Sequence, residues 1–272
     1  NRIVGATMVA TLGGPASARI RRFEAAGLRR KDAWCAVSDH VARLTITAFD
    51  ISGEPPTRIH SGVEVPDIPR EFADEKTVVF GGTIKAEKGI LELLRAWPAV
   101  RAAVPATLHL FGGFGTTIDR QPIVPRIEAL VPDPDTAGVV FHGRVQPDEL
   151  HAAYARASVS VFPSLADAFP LAMVEAMAVG SPTIGSCLGP GAEVIDDGVD
   201  GWVVDPTDAS ALADAIVRAL ADQQLAEAIG HRAKERVARD FTIARWTERT
   251  TRFYDEVLRS WRPNRSRSRV GR

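Results

Sequence analysis

Residues 76–104 read KTVVFGGTIKAEKGILELLRAWPAVRAAV. A short apolar run rich in β-branched and aromatic residues ends on two glycines. After a charged stretch the apolar residues return at helical spacing, at Ile90, Leu91, Leu93, Leu94, Trp97 and Val100. A run apolar at every position is a strand buried on both faces, and the spacing after it is that of an amphipathic helix. The stretch therefore reads as a strand over 76–83 and a helix over 88–104, which Pro98 is expected to kink or end.

The alternation repeats down the chain. Strands are expected at 106–113, 137–143, 158–164, 182–186 and 201–205, and helices at 146–157, 170–180 and 208–222, with two more before the end. Strands alternating with helices imply an α/β fold with a doubly wound parallel sheet. The first 66 residues are less regular. AWCAVS (33–38) reads as a strand, SDHVARLTITAF (38–49) as a helix and TRIHSGV (57–63) as another strand. Pro55, Pro56, Pro66 and Pro69 then crowd together, which suggests a hinge near 64–75. The expected organisation is a partial Rossmann-like domain over 1–66, a complete one over 67–240, a helix over 241–260 packing back on the first, and a disordered basic tail over 261–272. The chain opens on Asn1 rather than Met, and we read it as a piece whose N-terminal part is missing.

Composition excludes several function classes. With 272 residues, 45% hydrophobic and 25% charged, the chain has the make-up of a soluble globular protein. Its net charge of −1 gives no general argument for nucleic acid. No apolar run reaches the length of a membrane span. Cys35 and Cys187 lie far apart without metal-type spacing, so a reduced, cytoplasmic compartment is expected. The six histidines form no ligand pair of the HExxH kind, no serine elbow is present, and no glycine run completes a dinucleotide fingerprint. The segment ARIRRFEAAGLRRK (18–31) mixes arginine and lysine with Ile20, Phe23 and Leu28. It reads either as a solvated helix or as a peripheral contact with an anionic membrane, to which the arginine-rich tail would add.

In a parallel sheet, ligands bind outside the carboxyl ends of the strands. Three turns fall there: FGGT (80–83), HGRV (142–145) and FPSLADAFP (162–170). The third leads into PLAMVEAMAVG, an apolar helix whose first amides, from Leu171 to Met173, would lack intrahelical partners and favour an anion. The one charged residue between Ala168 and Ala192 is Glu175, and Asp167 lies eight positions before it. A carboxylate on a buried helix needs donors to offset its desolvation, and the vicinal hydroxyls of a ribose would supply them. Asp167 could take hydroxyls from a second sugar. An internal salt bridge for Glu175 and a capping role for Asp167 fit the spacing equally well. In the first turn, Gly81 and Gly82 permit close backbone approach to a phosphate. Lys88 stands where a cation does not suit the following helix dipole, unless an anion lies between.

The stretches GGTIKAEKG, FHGRVQPDEL, SVSVFPSLADAFPLAMVEAMAVGSPTI and GAEVIDDGVDGWVVDPTD occur in this order. Together they resemble the donor-binding half of the GT-B glycosyltransferases of family 4, which are retaining enzymes using nucleotide-activated sugars. AWCAVSDHVA and TRIHSGVEV resemble the end of that family's first domain. The resemblance implies a GT-B, Rossmann-like fold and a nucleotide diphosphate sugar as hexosyl donor to a hydroxyl acceptor. It places the family's pair of acids on Asp167 and Glu175, and its phosphate lysine on Lys88. Gly82, Thr83 and the backbone around Phe169, Pro170 and Leu171 would hold sugar and diphosphate, and Val145 would touch the base. No metal or other cofactor is expected, because Lys88 and the helix start would stabilise the leaving diphosphate. Three positions depart from the pattern: Thr83 replaces an arginine, Asp167 is shorter than the usual glutamate, and Pro170 replaces a glycine. The alternative is a nucleotide-sugar-binding module that transfers nothing.

Overall fold

A computed structural model describes residues 3–6, 33–71 and 75–260. The basic segment 18–31 and the tail 261–272 lie outside the described residues. The chain divides into two compact units, one formed by 1–60 with 244–272 and the other by 61–243.

The smaller unit holds a parallel sheet of β1 (Ile3–Ala6), β2 (Ala33–Ala36) and β3 (Thr57–Arg58), in that spatial order. Helix α1 (Asp39–Phe49) starts where the Ser38 hydroxyl accepts the Val41 N–H at 3.1 Å, and ends at Asp50 in the left-handed region. Trp34 and Phe49 pack together. Ile59 packs with Phe253 and Val257 of the long C-terminal helix, α10 (Ile243–Ser260). The strand expected over 57–63 is cut to two residues. After Ile59 donates to Ala36 at 2.9 Å, the chain leaves this sheet, and Val63 bridges Thr242 in the larger unit instead.

The larger unit is built on six parallel strands: β4 (Thr77–Gly81), β5 (Thr107–Phe111), β6 (Val139–Gly143), β7 (Val159–Phe162), β8 (Thr183–Ser186) and β9 (Trp202–Val204). Their order across the sheet is β6-β5-β4-β7-β8-β9. The chain therefore winds outward from β4 to β6, returns to the middle, and winds outward the other way from β7. On one face the inward residues Val78, Phe80, Leu108, Leu110, Val159, Val161 and Ile184 meet α2 (Ile90–Ala103) and α8 (Ala209–Ala221). The remaining long helices are α5 (Pro147–Arg156), α6 (Leu171–Ala178) and α9 (Gln223–Asp240), and α6 and α9 pack on each other. The central strands β4, β7 and β8 are buried along almost their whole length, whereas β6 at one edge alternates buried or half-buried residues with exposed ones.

Pro98 does not end α2, which runs on to Ala103. Pro98 is exposed, while Trp97 and Val100 on either side of it are buried and the Trp97 indole donates to the Ala137 carbonyl at 2.8 Å. Packing of those side chains outweighs the lost helical hydrogen bond. Three short helices, α3 (Val124–Leu130), α4 (Pro134–Ala137) and α7 (Gly191–Val194), complete the unit. Arg70 ties the entry segment to α5. Its guanidinium donates to the carbonyls of Tyr154 at 2.9 Å and Ala155 at 2.8 Å, and also to that of Ala157. Burial pulls its pKa down to about 10.

Candidate functional site

The winding reverses between β4 and β7, and a crevice at the carboxyl ends of these two strands is the place where such sheets receive ligands. The loops that leave the two strands are joined backbone to backbone. Leu165 and Ala166 donate to the Glu87 carbonyl at 2.9 and 3.1 Å. Gly89 ends the 3₁₀ turn Ala86–Lys88 at φ 69°, and a Cβ on it would lie 1.7 Å from the Pro163 carbonyl oxygen. Only glycine meets both demands.

The two glycines after β4 have different tasks. A Cβ on Gly81 would fall 1.9 Å from the Tyr154 hydroxyl, so its small size serves packing. Gly82 has φ 143°, and a Cβ there would meet nothing closer than the Phe80 ring at 3.7 Å, which leaves its open side available to a ligand. Thr83 follows, exposed.

Lys88 and Asp167 form an ion pair across the two loops, with 28% and 13% of their side chains exposed. This decides one of the alternatives left open by sequence. Asp167 does not cap α6, whose N-cap is Pro170 with no side-chain hydrogen bond. It also corrects the dipole argument for Lys88. The lysine ends a short 3₁₀ turn, separated from α2 by Gly89, and its charge is answered by Asp167 rather than opposed by a helix.

The start of α6 offers fewer free amides than expected. Leu171 donates to Phe169 at 3.0 Å and Met173 to Pro170 at 3.0 Å. Among the described residues this leaves Ala172 as the one of the three N–H groups without a backbone partner. The proline at the cap is the cause, since it lets the chain close a tight turn before the first helical bond. Phe169 is buried against Phe241, with ring centroids 6.1 Å apart, and Leu171 is exposed.

Glu175 lies one turn further along α6, partly buried. Among the described residues no side chain hydrogen-bonds to it or forms an ion pair with it, which removes the internal salt bridge that spacing allowed. Burial raises its carboxyl pKa, and the nearby His151 pulls the other way. On α5, the Tyr154 hydroxyl is fully buried and, among the described residues, has no hydrogen-bond partner.

Val145 leaves the sheet at the same edge, after β6, two strands out from β4. Its neighbour His142 is engaged within the sheet. It stacks on Phe111 at 4.1 Å between centroids, and its Nε2 lies 2.9 Å from His109 Nδ1. Burial, then His142, lowers the pKa of His109.

The fold thus brings Lys88 to Asp167 and sets Phe169, Pro170, Leu171 and Glu175 on the segment that follows β7, while Gly82 and Thr83 follow the adjacent strand β4. Sequence reading missed Gly89 and Tyr154. The first could have been found as the glycine between a charged turn and a helical pattern, the second as the one tyrosine on the apolar side of its helix. Among the described residues, no group of three or more histidines, cysteines or acids is placed to hold a metal ion, and no helix is long and apolar enough to cross a membrane.

A doubly wound parallel sheet with its switch-point loops closed over an acid–lysine pair defines the class as a Rossmann-like α/β protein of the GT-B kind. The chain belongs to the glycosyl transferases group 1 family, whose model matches residues 75–222. It is 30% identical over 214 residues to an exopolysaccharide phosphotransferase of Streptomyces coelicolor, covering 75% of this chain and 21% of that protein. Its structure is similar to that of the sucrose-phosphate synthase of Thermosynechococcus elongatus, with a TM-score of 0.76, 26% identity, and coverage of 95% of this chain and 68% of the other. Anabaena HepE, solved with UDP and glucose, shares the fold with a TM-score of 0.75 at 18% identity, over 93% of this chain and 71% of its own. The chain spans between 21% and 45% of the length of the first curated relatives it matches.

Proposed function

We propose that this chain forms the sugar-donor half of a retaining glycosyltransferase, which moves a hexosyl unit from a nucleotide diphosphate sugar to a hydroxyl acceptor. The observation that carries the reading is the state of Glu175. A partly buried carboxylate without a partner, its pKa raised by burial, asks for hydrogen-bond donors, and a ribose diol brings two. The rest of the site suits the other parts of such a ligand. The open side of Gly82, the Ala172 N–H and Lys88 would meet the diphosphate. Asp167 would face the hexose, and the loop through Val145 the base. Charge building on the leaving diphosphate would be met by Lys88 and the start of α6 without a bound metal. Likeness to proteins whose names describe sugar transfer and to a fold solved with UDP supports the reading. The acceptor would be a glycan, a lipid-linked sugar or a small molecule. A lipid-linked one would give the basic segment 18–31 a membrane surface to meet.

The test is calorimetric titration with UDP, GDP and ADP, then with their hexose conjugates. One nucleotide should bind, and Glu175→Ala should weaken it by about tenfold or more, since it deletes hydrogen bonds to a charged group. Unchanged affinity in that variant would remove the ribose assignment.

One observation favours a second reading, a module that binds a nucleotide sugar and transfers nothing. Lys88 is already paired with Asp167, and Thr83 adds no charge, so little free positive charge faces a leaving diphosphate. Donor hydrolysis or transfer by the chain, absent in Lys88→Ala, would exclude it.

A further inference from the structure

Two histidines are joined beneath the loop that leaves β6. His109 on β5 and His142 on β6 bring Nδ1 and Nε2 to 2.9 Å. Their rings are tilted by only 21° with centroids 5.2 Å apart, so they meet edge to edge and the shared hydrogen bond runs in the plane of both. The His142 ring also lies flat on Phe111, at 4.1 Å and 4°, and Phe111 is buried. The strand that carries His142 is the last of its sheet and bonds to β5 alone. At the carboxyl end of the two strands the Gly112 amide donates to the Gly143 carbonyl at 2.7 Å. A bond between two imidazoles has room for one proton. One nitrogen donates and the other accepts, so the bond suits the neutral and the singly protonated pair. A second proton would set two N–H groups and two like charges against each other at contact distance. Among the described residues, Val79 on β4 and Val140 on β6 oppose His109 and carry no charge. Glu75, ahead of β4, favours a charge on His109, and burial together with His142 outweighs it. Arg144, in the loop after β6, lays its side chain over Gly113 and adds another cation at this end of the sheet.

We propose that His109 and His142 form a proton-operated clamp: while they share one hydrogen bond they hold the edge strand β6 and the loop through Val145 to β5, and a second proton on the pair releases them. The consequence for nucleotide rests on the reading above, in which that loop meets the base. The clamp itself stands separately. The unfolded chain takes the second proton more readily than the folded one. The clamp's contribution to stability is therefore present above the ordinary histidine range, about 6.5, and is lost as pH falls through the lower step of the pair.

The variants are His142→Phe, which keeps a ring for Phe111, and His109→Phe. The first two readouts need no ligand. The ring protons of both histidines, assigned by their loss in the variants, are followed by NMR from about pH 4 to 8. In the unmodified chain they should share two steps about one pH unit or more apart. The histidine left in either variant should titrate in one step, above the lower of those two. Histidines that titrate alike with and without each other overturn the clamp, and either variant alone suffices for that result. The second readout is hydrogen exchange of the Gly112 amide, corrected for its intrinsic rate. Its protection should fall several-fold through the lower step, and that fall should be absent in His142→Phe. Protection that does not follow the pair overturns the release. The third readout is affinity for whichever of UDP, GDP and ADP binds. It should weaken several-fold through the same step in the unmodified chain and in Glu175→Gln, and hold level in His142→Phe. A pair that titrates and releases while affinity stays level supports the clamp and overturns the placing of the base on this loop.

Discussion

Asp167 and Glu175 stand eight residues apart, and the fold treats them in opposite ways. Asp167 lies on a loop, paired with a lysine that the neighbouring loop delivers to it. Glu175 lies on a helix, partly buried, with no partner among the described residues. A third carboxylate shows what a purely structural acid looks like here. Asp200 is 4% exposed, accepts the Asp196 N–H at 2.7 Å and pairs with Arg236 at 3.3 Å. The lesson is that burial alone does not mark a site. Asp200 is buried with bonds, and Glu175 is partly buried without them, which is why the ribose is proposed for Glu175 and not for Asp200. Asp167 falls between, since its bond is to a residue that a ligand's phosphate would also want.

The contrast depends on the backbone that joins the two loops, so the strongest way to break it is at Gly89. Gly89→Ala adds a Cβ at φ 69° and sets it 1.7 Å from the Pro163 carbonyl. Backbone strain and overpacking each cost about 1–3 kcal/mol, and here they coincide. The urea midpoint should fall by more than in any other variant considered, and the Lys88–Asp167 pair should come apart with it. A stable Gly89→Ala chain would mean that the loops are held by the ion pair and not by the backbone.

Next in size is Asp200→Ala. It strands Arg236, whose Nε already lacks a partner among the described residues, and should cost about 3 kcal/mol in unfolding experiments. Nucleotide affinity should not change. A parallel loss of affinity would place Asp200 among the site acids and spoil its use as the structural reference.

Asp167→Asn separates the two site acids most sharply. The ion pair is partly exposed, so stability should fall by about 1 kcal/mol or less. Lys88 would then be free for phosphate. Affinity for the bare nucleoside diphosphate should rise about threefold, by the modest worth of such a pair, whereas Glu175→Ala lowers it. Affinity for the hexose conjugate should gain less or fall, because Asp167 is the group proposed to face the sugar. The same sign in both variants would mean that the two carboxylates serve one end of the ligand.

Much of this was legible in the sequence, for identifiable reasons. Every strand of the six-stranded sheet announced itself, because each is a short run rich in β-branched and aromatic residues between helical segments. The two acids stood out because they interrupt an apolar stretch. What stayed hidden depends on contacts made by distant residues. α3, α4 and α7 are too short to show a period. Pro98 was expected to kink or end its helix, and the helix runs on past it to Ala103, with Trp97 and Val100 buried on either side. The free amides of Leu171 and Met173 were overcounted, since the turn made by Pro170 is a matter of backbone torsion. The pairing of Lys88 with Asp167 joins residues 79 positions apart, and nothing local to either encodes it.

The smallest expected effect is also the most particular to Glu175. Its folded-state pKa lies above its reference value of 4.5 because burial disfavours the charged form. A group so shifted contributes stability that is fully present below the unfolded pKa and is lost as pH rises through the folded pKa. Glu175→Gln keeps the shape and removes the titration. The variant should match the unmodified chain near pH 4, then become slightly more stable as pH rises, with the gap complete once Glu175 is ionised in the folded state. Thermal unfolding followed across that range measures it. Asp167→Asn should show the opposite sign at neutral pH, because it loses an attraction where Glu175→Gln loses a desolvated charge. A site that is stabilised by removing one acid and destabilised by removing the other holds one charge for a ligand and spends the other on itself. If Glu175→Gln instead lowers stability at neutral pH, the carboxylate has a partner after all, and the capacity assigned to it is already filled.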